Sequence, residues 1–277
     1  DKKVKAVKNL KFSLHKGDTL GIIGESGSGK TSLAMAIMGL IKSPGEVKGN
    51  VFYRGKDMHT LSKKELDEIR WKGIAIVFQN SLEVLNPLLT SYEQIYEVII
   101  KHLTISKNEA SQRVYKLLEM VGLDVGCGDC YPHELSGGMR QRVLIAMALA
   151  CEPEVLIIDE PTTALDTVSK NKIIQLILKL QKEMKFALIV ISHELPTVLK
   201  LTSKIGVMYA GHMVETGLTK EVIKNPMHPY TRGLLNASPV MNPYRDMWGI
   251  PGEATTENIF GCPFYDRCVQ KIDICKE

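Results

Sequence analysis

The stretch GESGSGKT at residues 24–31 is the feature that most constrains what this chain can fold into. It matches the pattern G-x-x-x-x-G-K-[ST], follows the apolar run TLGIIG and precedes a helix-forming segment at residues 30–41. In that context glycines let the backbone pass close to a phosphate tail, and the N–H groups at the start of the helix bind it. A glycine-rich turn without a ligand is disfavoured, because strand, pattern and helix coincide.

The residues of this loop have distinct expected roles. Lys30 is expected to reach the β- and γ-phosphates of a nucleotide, and the hydroxyl of Thr31 is expected to bind Mg²⁺. The residues expected to contact the nucleotide are Gly24, Glu25, Ser26, Gly27, Ser28, Gly29, Lys30, Thr31 and Ser32.

Short apolar runs recur along the chain, flanked by glycine or by charged residues. They are TLGIIG (19–24), GIAIVFQ (73–79), VLIIDE (155–160) and FALIVIS (186–192). Continuous apolar runs of this length are typical of strands that are buried on both faces, and helix-forming segments separate them. The sequence therefore predicts an α/β fold around a mostly parallel sheet.

Polar residues follow three of these runs, at the ends of the predicted strands. Asp159 is placed to hold Mg²⁺, and Glu160 is placed to orient and deprotonate an attacking water. Gln79 is expected to contact Mg²⁺ or that water, and His193 is expected to hydrogen-bond the γ-phosphate. The carboxyl ends of parallel strands meet at one edge of a sheet, so these side chains are expected to face the phosphate loop.

Residues 91–151 show three helix-period patterns with no strand between them, which predicts an inserted helical subdomain. Serine followed three residues later by Glu or Gln predicts capping boxes. The three pairs with this spacing are Ser62/Glu65, Ser91/Gln94 and Ser106/Glu109. Residues 204–217 alternate and turn at Ala210-Gly211, which predicts a β-hairpin.

A second phosphate-shaped motif, LSGGM, stands at residues 135–139. A serine followed by two glycines at the start of a helix is an anion-binding arrangement. One nucleotide tail is already held by Lys30 and its loop. Ser136, Gly137 and Gly138 are therefore expected to meet the phosphates of a nucleotide that a facing subunit has bound.

Taken together, these motifs closely resemble those of ATP-binding-cassette (ABC) ATPases. The matching pieces are the Walker A loop 24–31, Gln79, LSGG at 135–138, Walker B at 155–160, TALD at 163–166 and His193, in family order. The resemblance implies a P-loop NTPase cassette with a RecA-like core, a small antiparallel β subdomain and the inserted helical subdomain. It also implies an ATP- and Mg²⁺-dependent dimer, in which Asp166 helps communication across the interface.

The C-terminal third resembles the oligopeptide/dipeptide/nickel importer branch of that family. The matching stretches are YPHELSGGMRQRVLIAMAL (131–149), YAGHMVETG (209–217), NPMHPYTRGLLNASP (225–239) and GCPFYDRC (261–268). The resemblance implies an ATPase domain at 1–235, with its helical part at about 88–150, and an extension at 236–277. One departure is QNSLEVLNP (79–87), in the region that contacts the membrane subunit in this branch.

The same resemblance implies the partners and the cargo. The ATPase is expected at the cytoplasmic face of the membrane, paired with a second copy or a related ATPase and bound to transmembrane permease subunits. An extracytoplasmic binding protein would then select a peptide, nickel or a related solute. No apolar run approaches the ~20 residues of a membrane span, and no signal peptide is visible. The net charge of +4 excludes neither a membrane surface nor nucleic acid and argues for neither. No nucleic-acid partner is expected.

The six cysteines suggest a further cofactor. Cys262, Cys268 and Cys275 are spaced C-x5-C-x6-C, and some members of the branch hold a [4Fe–4S] cluster with a similar pattern. Free structural thiols are the alternative. Cys127 and Cys130 are interpreted as surface thiols.

Other ABC classes remain as alternatives. A soluble ATPase that remodels or activates a metalloenzyme, with an iron–sulfur-bearing tail, would suit the cysteines and the altered region after Gln79. A DNA-repair ATPase is disfavoured because the interval between Thr31 and Leu135 is too short for a long coiled coil. A translation factor is disfavoured because only one set of cassette motifs occurs in the sequence.

Overall fold

The computed structural model describes residues 4–79, 84–237, 250–252 and 261–277. These residues divide into two compact units. The first unit takes its described residues from 1–14, 18–36 and 190–277, and the second takes them from 15–17 and 37–189. The division passes through strand β6 (Ala187–Ser192) and near the end of helix α1 (Lys30–Ile37).

The first unit contains the strand that precedes the phosphate loop. Besides α1 and the second half of β6, its elements are β1 (Thr19–Ile23), α7 (Leu195–Leu201), β7 (Lys204–Tyr209), β8 (His212–Leu218), α8 (Thr219–Lys224) and α9 (Pro229–Asn236). Strand β1 lies between β6 and β7, and it pairs with β7 in parallel, with Ile22 opposite Gly206. Strand β8 then closes this side of the unit by antiparallel pairing with β7.

The second unit contains the helical part of the chain and a parallel strand pair. Its elements are β2 (Phe52–Tyr53), β3 (Lys56–Asp57), α2 (Lys63–Ile69), β4 (Ile74–Val77), α3 (Ser91–His102), α4 (Lys107–Met120), α5 (Gly137–Leu149), β5 (Val155–Asp159), α6 (Thr167–Met184) and the first half of β6. Strands β4 and β5 are parallel neighbours, with Ile76 opposite Ile157. Strands β2 and β3 form a separate antiparallel pair.

The four apolar runs of the sequence are the strands β1, β4, β5 and β6, so this prediction is confirmed. The α/β class, the mostly parallel pairing and the small antiparallel sheet are confirmed as well. The predicted hairpin is formed by β7 and β8. At its turn Ala210 and Gly211 both have positive φ, 46° and 85°, which is the backbone twist that two-residue hairpin turns require.

Residues 91–151 form α3, α4 and α5 with no strand between them, as predicted. The capping boxes at Ser62/Glu65 and Ser106/Glu109 are confirmed.

The predicted box at Ser91/Gln94 is wrong by one residue. The hydroxyl of Thr90 accepts from the Glu93 N–H at 3.2 Å, and the Glu93 carboxylate accepts from the Thr90 N–H at 2.8 Å. Ser91 is buried and its hydroxyl donates instead to the carbonyl of Cys130 at 3.2 Å. The carboxylate at the N3 position wins because it bears the charge that the helix N-terminus favours.

Within the described residues, no helix combines the length and the apolar character that crossing a membrane would require.

Helix α3 offers a test of the helical packing, because two adjacent isoleucines differ in burial. Ile99 is fully buried, whereas Ile100 is 47% exposed. We expect Ile99→Ala to lower the free energy of unfolding by about 2 to 5 kcal/mol, through lost burial and the cavity left behind. The matched variant Ile100→Ala should change it by no more than about 0.5 kcal/mol. Chemical denaturation followed by circular dichroism measures both, and equal effects would contradict this packing.

Candidate functional site

The phosphate loop in the first unit connects β1 to α1. Strand β1 is buried from Leu20 onward, and the chain leaves it at Gly24 and enters the helix at Lys30. Two of the intervening glycines have positive φ, 78° at Gly27 and 99° at Gly29. L-residues rarely adopt this region, which explains why glycine recurs in the loop.

Gly29 is required by space as well as by backbone conformation. A Cβ atom at this position would lie 2.0 Å from the carbonyl oxygen of Ala6. At Gly27, by contrast, a Cβ atom would meet nothing within 4 Å. The segment that contains Ala6 therefore packs directly against the loop backbone, and this contact fixes where the loop turns into the helix.

Lys30 lies on the inner side of the loop and is buried. Its ammonium donates to the carbonyl oxygens of Gly24 and Glu25, both at 2.8 Å, and lies 3.3 Å from the hydroxyl of Ser28. A cation held by the curl of a glycine-rich loop at a helix N-terminus is suited to a phosphate ligand. Ser26, Gly27 and Thr31 are exposed, while Ser32 is half-buried on the first turn of α1.

His193 belongs to the same unit as the loop. It directly follows the last residue of β6 and is exposed, and the hydroxyl of Ser192 accepts a hydrogen bond from the next backbone N–H, that of Glu194, at 3.0 Å. The prediction that this histidine stands at the end of a buried strand is confirmed.

The two carboxylates predicted at the end of β5 lie in the second unit. Asp159 is the last residue of the strand and is 1% exposed, and Glu160 is buried immediately after it. The backbone of Glu160 has a φ of 56°, a conformation that non-glycine residues seldom adopt and that recurs at functional sites. The hydroxyl of Thr163 lies 3.2 Å from a Glu160 carboxylate oxygen and donates to it, which orients the carboxylate.

Gln79 stands two residues beyond β4 and is exposed. Because β4 and β5 are parallel and Val77 is paired with Ile158, the chain leaves both strands at the same edge. The sequence prediction that Gln79 and the acidic pair leave the sheet at one edge is thus confirmed within this unit. Strand ends of this kind are where open parallel sheets bind their ligands.

The second motif opens helix α5. The hydroxyl of Ser136 caps this helix by accepting from the Met139 N–H at 3.3 Å, as the sequence predicts, and Ser136 is exposed. Gly137 lies against Leu165, where an added Cβ atom would come within 3.2 Å of the leucine side chain. The start of α5 thus packs beside the start of α6.

Asp166 also caps a helix, a role that the motif resemblance does not predict. Its carboxylate caps α6 by accepting from the N–H groups of Val168 and Ser169, at 2.9 and 3.0 Å. Hydrogen bonding to Ser169 lowers the pKa of this carboxyl group. An ionised Asp166 therefore stands at the N-terminus of one helix and near the start of the other.

Arg140 holds the backbone that leads into the second motif, a contact that the motif analysis overlooked. Its guanidinium donates to the carbonyl oxygens of Pro132 and Leu135, at 3.1 and 2.8 Å. These carbonyls precede Ser136, so Arg140 reaches back along its own helix and fixes the turn that leads into the motif. The spacing of four residues between Ser136 and Arg140 on one helix is the only sequence signal for this role.

The predicted iron–sulfur centre is not supported. Among the residues that the structure describes, no three His, Cys, Asp or Glu side chains lie together in a metal-binding arrangement. Cys262 donates its backbone N–H to the carbonyl of Cys275 at 2.8 Å, and the sulfur of Cys268 accepts from the Gln270 N–H at 3.3 Å. All three are free thiols, which is the alternative that the sequence left open.

The remaining cysteines are also free thiols. Cys127 and Cys130 are half-buried in a 3-10 turn after α4, and burial raises the pKa of Cys130. Cys151 is buried just after α5, and burial raises the pKa of this thiol to about 11. A thiol with a raised pKa is a poor nucleophile and a poor metal ligand at neutral pH.

Comparison with known proteins finds family models that match two regions of the chain. A family model described as ABC transporter matches residues 7–163, and one described as oligopeptide/dipeptide transporter, C-terminal region, matches residues 214–275. The oligopeptide transport ATP-binding protein OppD of Escherichia coli (strain K12) is 43% identical over 99% of this chain and 83% of its own length. OppD of Bacillus subtilis (strain 168) is 46% identical over 90% of this chain and 71% of its own length.

A solved structure agrees with these matches. The ATP-binding cassette MJ0796, in a dimeric post-hydrolysis state bound to ADP and Pi, is 32% identical, with a TM-score of 0.69. The match covers 77% of this chain and 90% of the cassette.

Replacing the loop glycines tests the loop geometry in the absence of any ligand. We expect Gly27→Ala to lower the free energy of unfolding by about 1 to 2 kcal/mol, because the only penalty is the positive φ. Gly29→Ala should cost about 2 to 5 kcal/mol, because the methyl group also collides with the Ala6 carbonyl. Thermal and urea unfolding of both variants measure the difference. Equal losses would show that the segment around Ala6 does not restrain the loop.

Proposed function

The chain belongs to the ABC transporter family of ATPases, and from this premise we propose that it powers the uptake of oligopeptides or dipeptides through separate membrane subunits. It hydrolyses ATP to ADP and phosphate, the activity of that family. One observation carries the assignment of the cargo. The match to oligopeptide transport ATP-binding proteins spans 99% of this chain and includes the C-terminal region specific to such transporters.

The phosphate tail of ATP is proposed to bind to the loop at residues 24–31. Lys30 then donates to the phosphate oxygens in place of the loop carbonyls of Gly24 and Glu25, because an ammonium forms a stronger hydrogen bond with a charged acceptor than with a neutral carbonyl. The backbone N–H groups at the start of α1 and the hydroxyls of Ser26, Ser28 and Ser32 supply further donors. The positive φ values of Gly27 and Gly29 support this role, because they hold the loop open around a ligand.

Magnesium fits the oxygen donors that the chain offers. We propose that Thr31, Gln79 and Asp159 hold it, since hydroxyl, amide and carboxylate oxygens are the ligands that this ion prefers. When bound, the ion would neutralise charge on the transferring phosphoryl group. Asp159 supports this role because it places a buried carboxylate, a ligand type that this ion prefers, at the end of β5.

Glu160 is the proposed general base. Its carboxylate follows Asp159 directly and is oriented by the Thr163 hydroxyl, which suits it to accept a proton from an attacking water. His193 is proposed to hydrogen-bond the γ-phosphate and to respond when it departs. Gln79 is proposed to contact the magnesium ion or the water from the end of β4.

The motif at Ser136, Gly137 and Gly138 is proposed to act on the nucleotide of a second copy. Three features support action in trans: Ser136 is exposed, its helix N-terminus carries partial positive charge, and the solved relative with ADP and Pi is dimeric. Asp166 caps the neighbouring helix and is proposed to link the two sites.

The partners follow from the transporter assignment. We propose that two cassettes bind transmembrane permease subunits at the cytoplasmic face of the membrane, and that an extracytoplasmic binding protein delivers the peptide. Nickel is not named by the relatives described above, and the metalloenzyme-remodelling alternative has lost its iron–sulfur centre among the described residues. Peptide uptake is the remaining assignment.

Substitution of the proposed base separates binding from hydrolysis. We expect Glu160→Gln to bind Mg-ATP as tightly as the parent, to lose at least about 10²-fold in turnover, and to accumulate as a dimer on Mg-ATP. Lys30→Ala is the matched comparison, since it should lose ATP binding itself.

Sedimentation velocity and phosphate release, each with Mg-ATP and with ADP, measure these outcomes. Parental turnover in Glu160→Gln would refute its role as the base. Dimerisation of Lys30→Ala to the same extent would refute the proposed role of the phosphate loop.

A further inference from the structure

We propose that Tyr230 and Arg267, which lie far along the chain from the phosphate loop, are positioning residues for ATP binding and act through Glu25. The inference rests on the proposed role of the loop in holding ATP. It gives two residues of the C-terminal part of the chain a role in the nucleotide site.

Tyr230 fixes the backbone of the loop. Its hydroxyl oxygen accepts a hydrogen bond from the Glu25 N–H at 2.9 Å. The tyrosine is fully buried, and its ring packs against those of Tyr209 and Phe264, with centroids 4.7 and 5.4 Å away. Burial raises the pKa of the phenol, so it stays neutral. The Glu25 N–H is therefore committed to the protein, and this residue anchors the loop.

Arg267 fixes the side chain of the same residue. Its two terminal nitrogens donate to the two carboxylate oxygens of Glu25, at 2.7 and 3.0 Å. This bidentate pair is directional, because the guanidinium is a rigid planar fork. The bond to Glu25 raises the pKa of Arg267, which remains charged at any accessible pH.

The guanidinium is itself held in place from other directions. Its Nε donates to the carbonyl of Pro251 at 2.8 Å, and its charge lies 5.6 Å from the centroid of the Tyr209 ring. Arg267 is only 8% exposed. Its side chain is therefore held in one position, whereas the side chain of a surface lysine could move together with the loop.

Glu25 connects these contacts to the phosphate-binding cation. Its carbonyl oxygen accepts from the Lys30 ammonium at 2.8 Å and from the Ser28 N–H at 3.2 Å. Its N–H, its carboxylate and its carbonyl are thus each bonded, to Tyr230, Arg267 and Lys30. Movement of either C-terminal residue would shift the Glu25 backbone, whose carbonyl positions the Lys30 ammonium.

Electrostatics gives Arg267 a second effect on ATP. Glu25 places a carboxylate within a loop that binds a polyanion, and an unpaired negative charge there would repel the phosphates. The guanidinium cancels that charge at contact distance in a partly buried setting, where screening is weaker than in bulk solvent. Removing Arg267 should therefore weaken ATP binding through both position and charge.

The experiment measures ATP and ADP affinity by titration, and KM and kcat for hydrolysis, in the full chain. The variants are Tyr230→Phe, Arg267→Met, Arg267→Lys, Glu25→Gln and the double variant Glu25→Gln/Arg267→Met. Lys276→Met is the matched control, because this exposed cation of the same segment pairs with Asp273 and lies over the Tyr265 ring. Thermal unfolding is recorded for each variant, to establish that it is folded.

We expect Arg267→Met to raise the Kd for ATP about tenfold, roughly 1.4 kcal/mol, and KM with it, while kcat changes less. The Kd of Arg267→Lys should lie between those of this variant and the parent, because lysine keeps the charge and loses the bidentate geometry of the guanidinium. Adding Glu25→Gln to Arg267→Met should recover most of the affinity, since the unpaired charge is gone. The deficit of Arg267→Met should also shrink at high salt.

Tyr230→Phe, which removes one oxygen atom, should raise Kd about threefold, a loss typical of one neutral hydrogen bond. The inference is overturned if folded Arg267→Met binds ATP within twofold of the parent, or if Glu25→Gln does not relieve its defect. If Arg267→Met does not fold, parental affinity in both Tyr230→Phe and Arg267→Lys overturns it. Failure of the parent chain to bind ATP would instead refute the proposed function.

Discussion

The conformation of the backbone at residues 24–31 is the constraint on which the rest of the nucleotide site depends. Positive φ at Gly27 and Gly29 curls the chain, and the curl presents neutral carbonyls to Lys30. The loop is braced at both ends, by the Ala6 segment against Gly29 and by Tyr230 and Arg267 on Glu25. Phosphate binding by backbone groups demands such bracing, because a loop that must be ordered by its ligand binds it more weakly.

The second unit presents its own groups by a different device. Strands β4 and β5 run in parallel, so Gln79 and the acidic pair leave the sheet at one edge. Helix N-termini then concentrate partial positive charge where Ser136 and Asp166 cap α5 and α6. Hydrolysis of ATP between two cassettes would use both devices, the oxygens at the strand ends for magnesium and water and the helix start for the phosphates.

Most of this site could be predicted from the sequence, because each motif is local. A buried parallel strand is a continuous apolar run, and the polar residue that ends it is adjacent in sequence, as at Asp159 and His193. The interactions that escaped prediction are those with no local signal. Arg267 and Tyr230 contact Glu25, from which they are separated by most of the chain length. Thr90 caps α3 because the hydroxyl of Ser91, the cap that the sequence predicts, is buried and bonded to a distant carbonyl. The iron–sulfur prediction is not supported, because a regular spacing of cysteines in the sequence does not by itself bring their thiols together in the fold.

The most direct test of the shared-site account is hydrogen exchange in the Glu160→Gln chain with saturating Mg-ATP, over a dilution series that spans its dimerisation. The account predicts that amides of residues 24–31 are protected by nucleotide at every concentration. Amides of residues 136–138 should gain protection only where dimers form and lose it on dilution. Protection of residues 136–138 in the monomer, or none at residues 24–31, would contradict it.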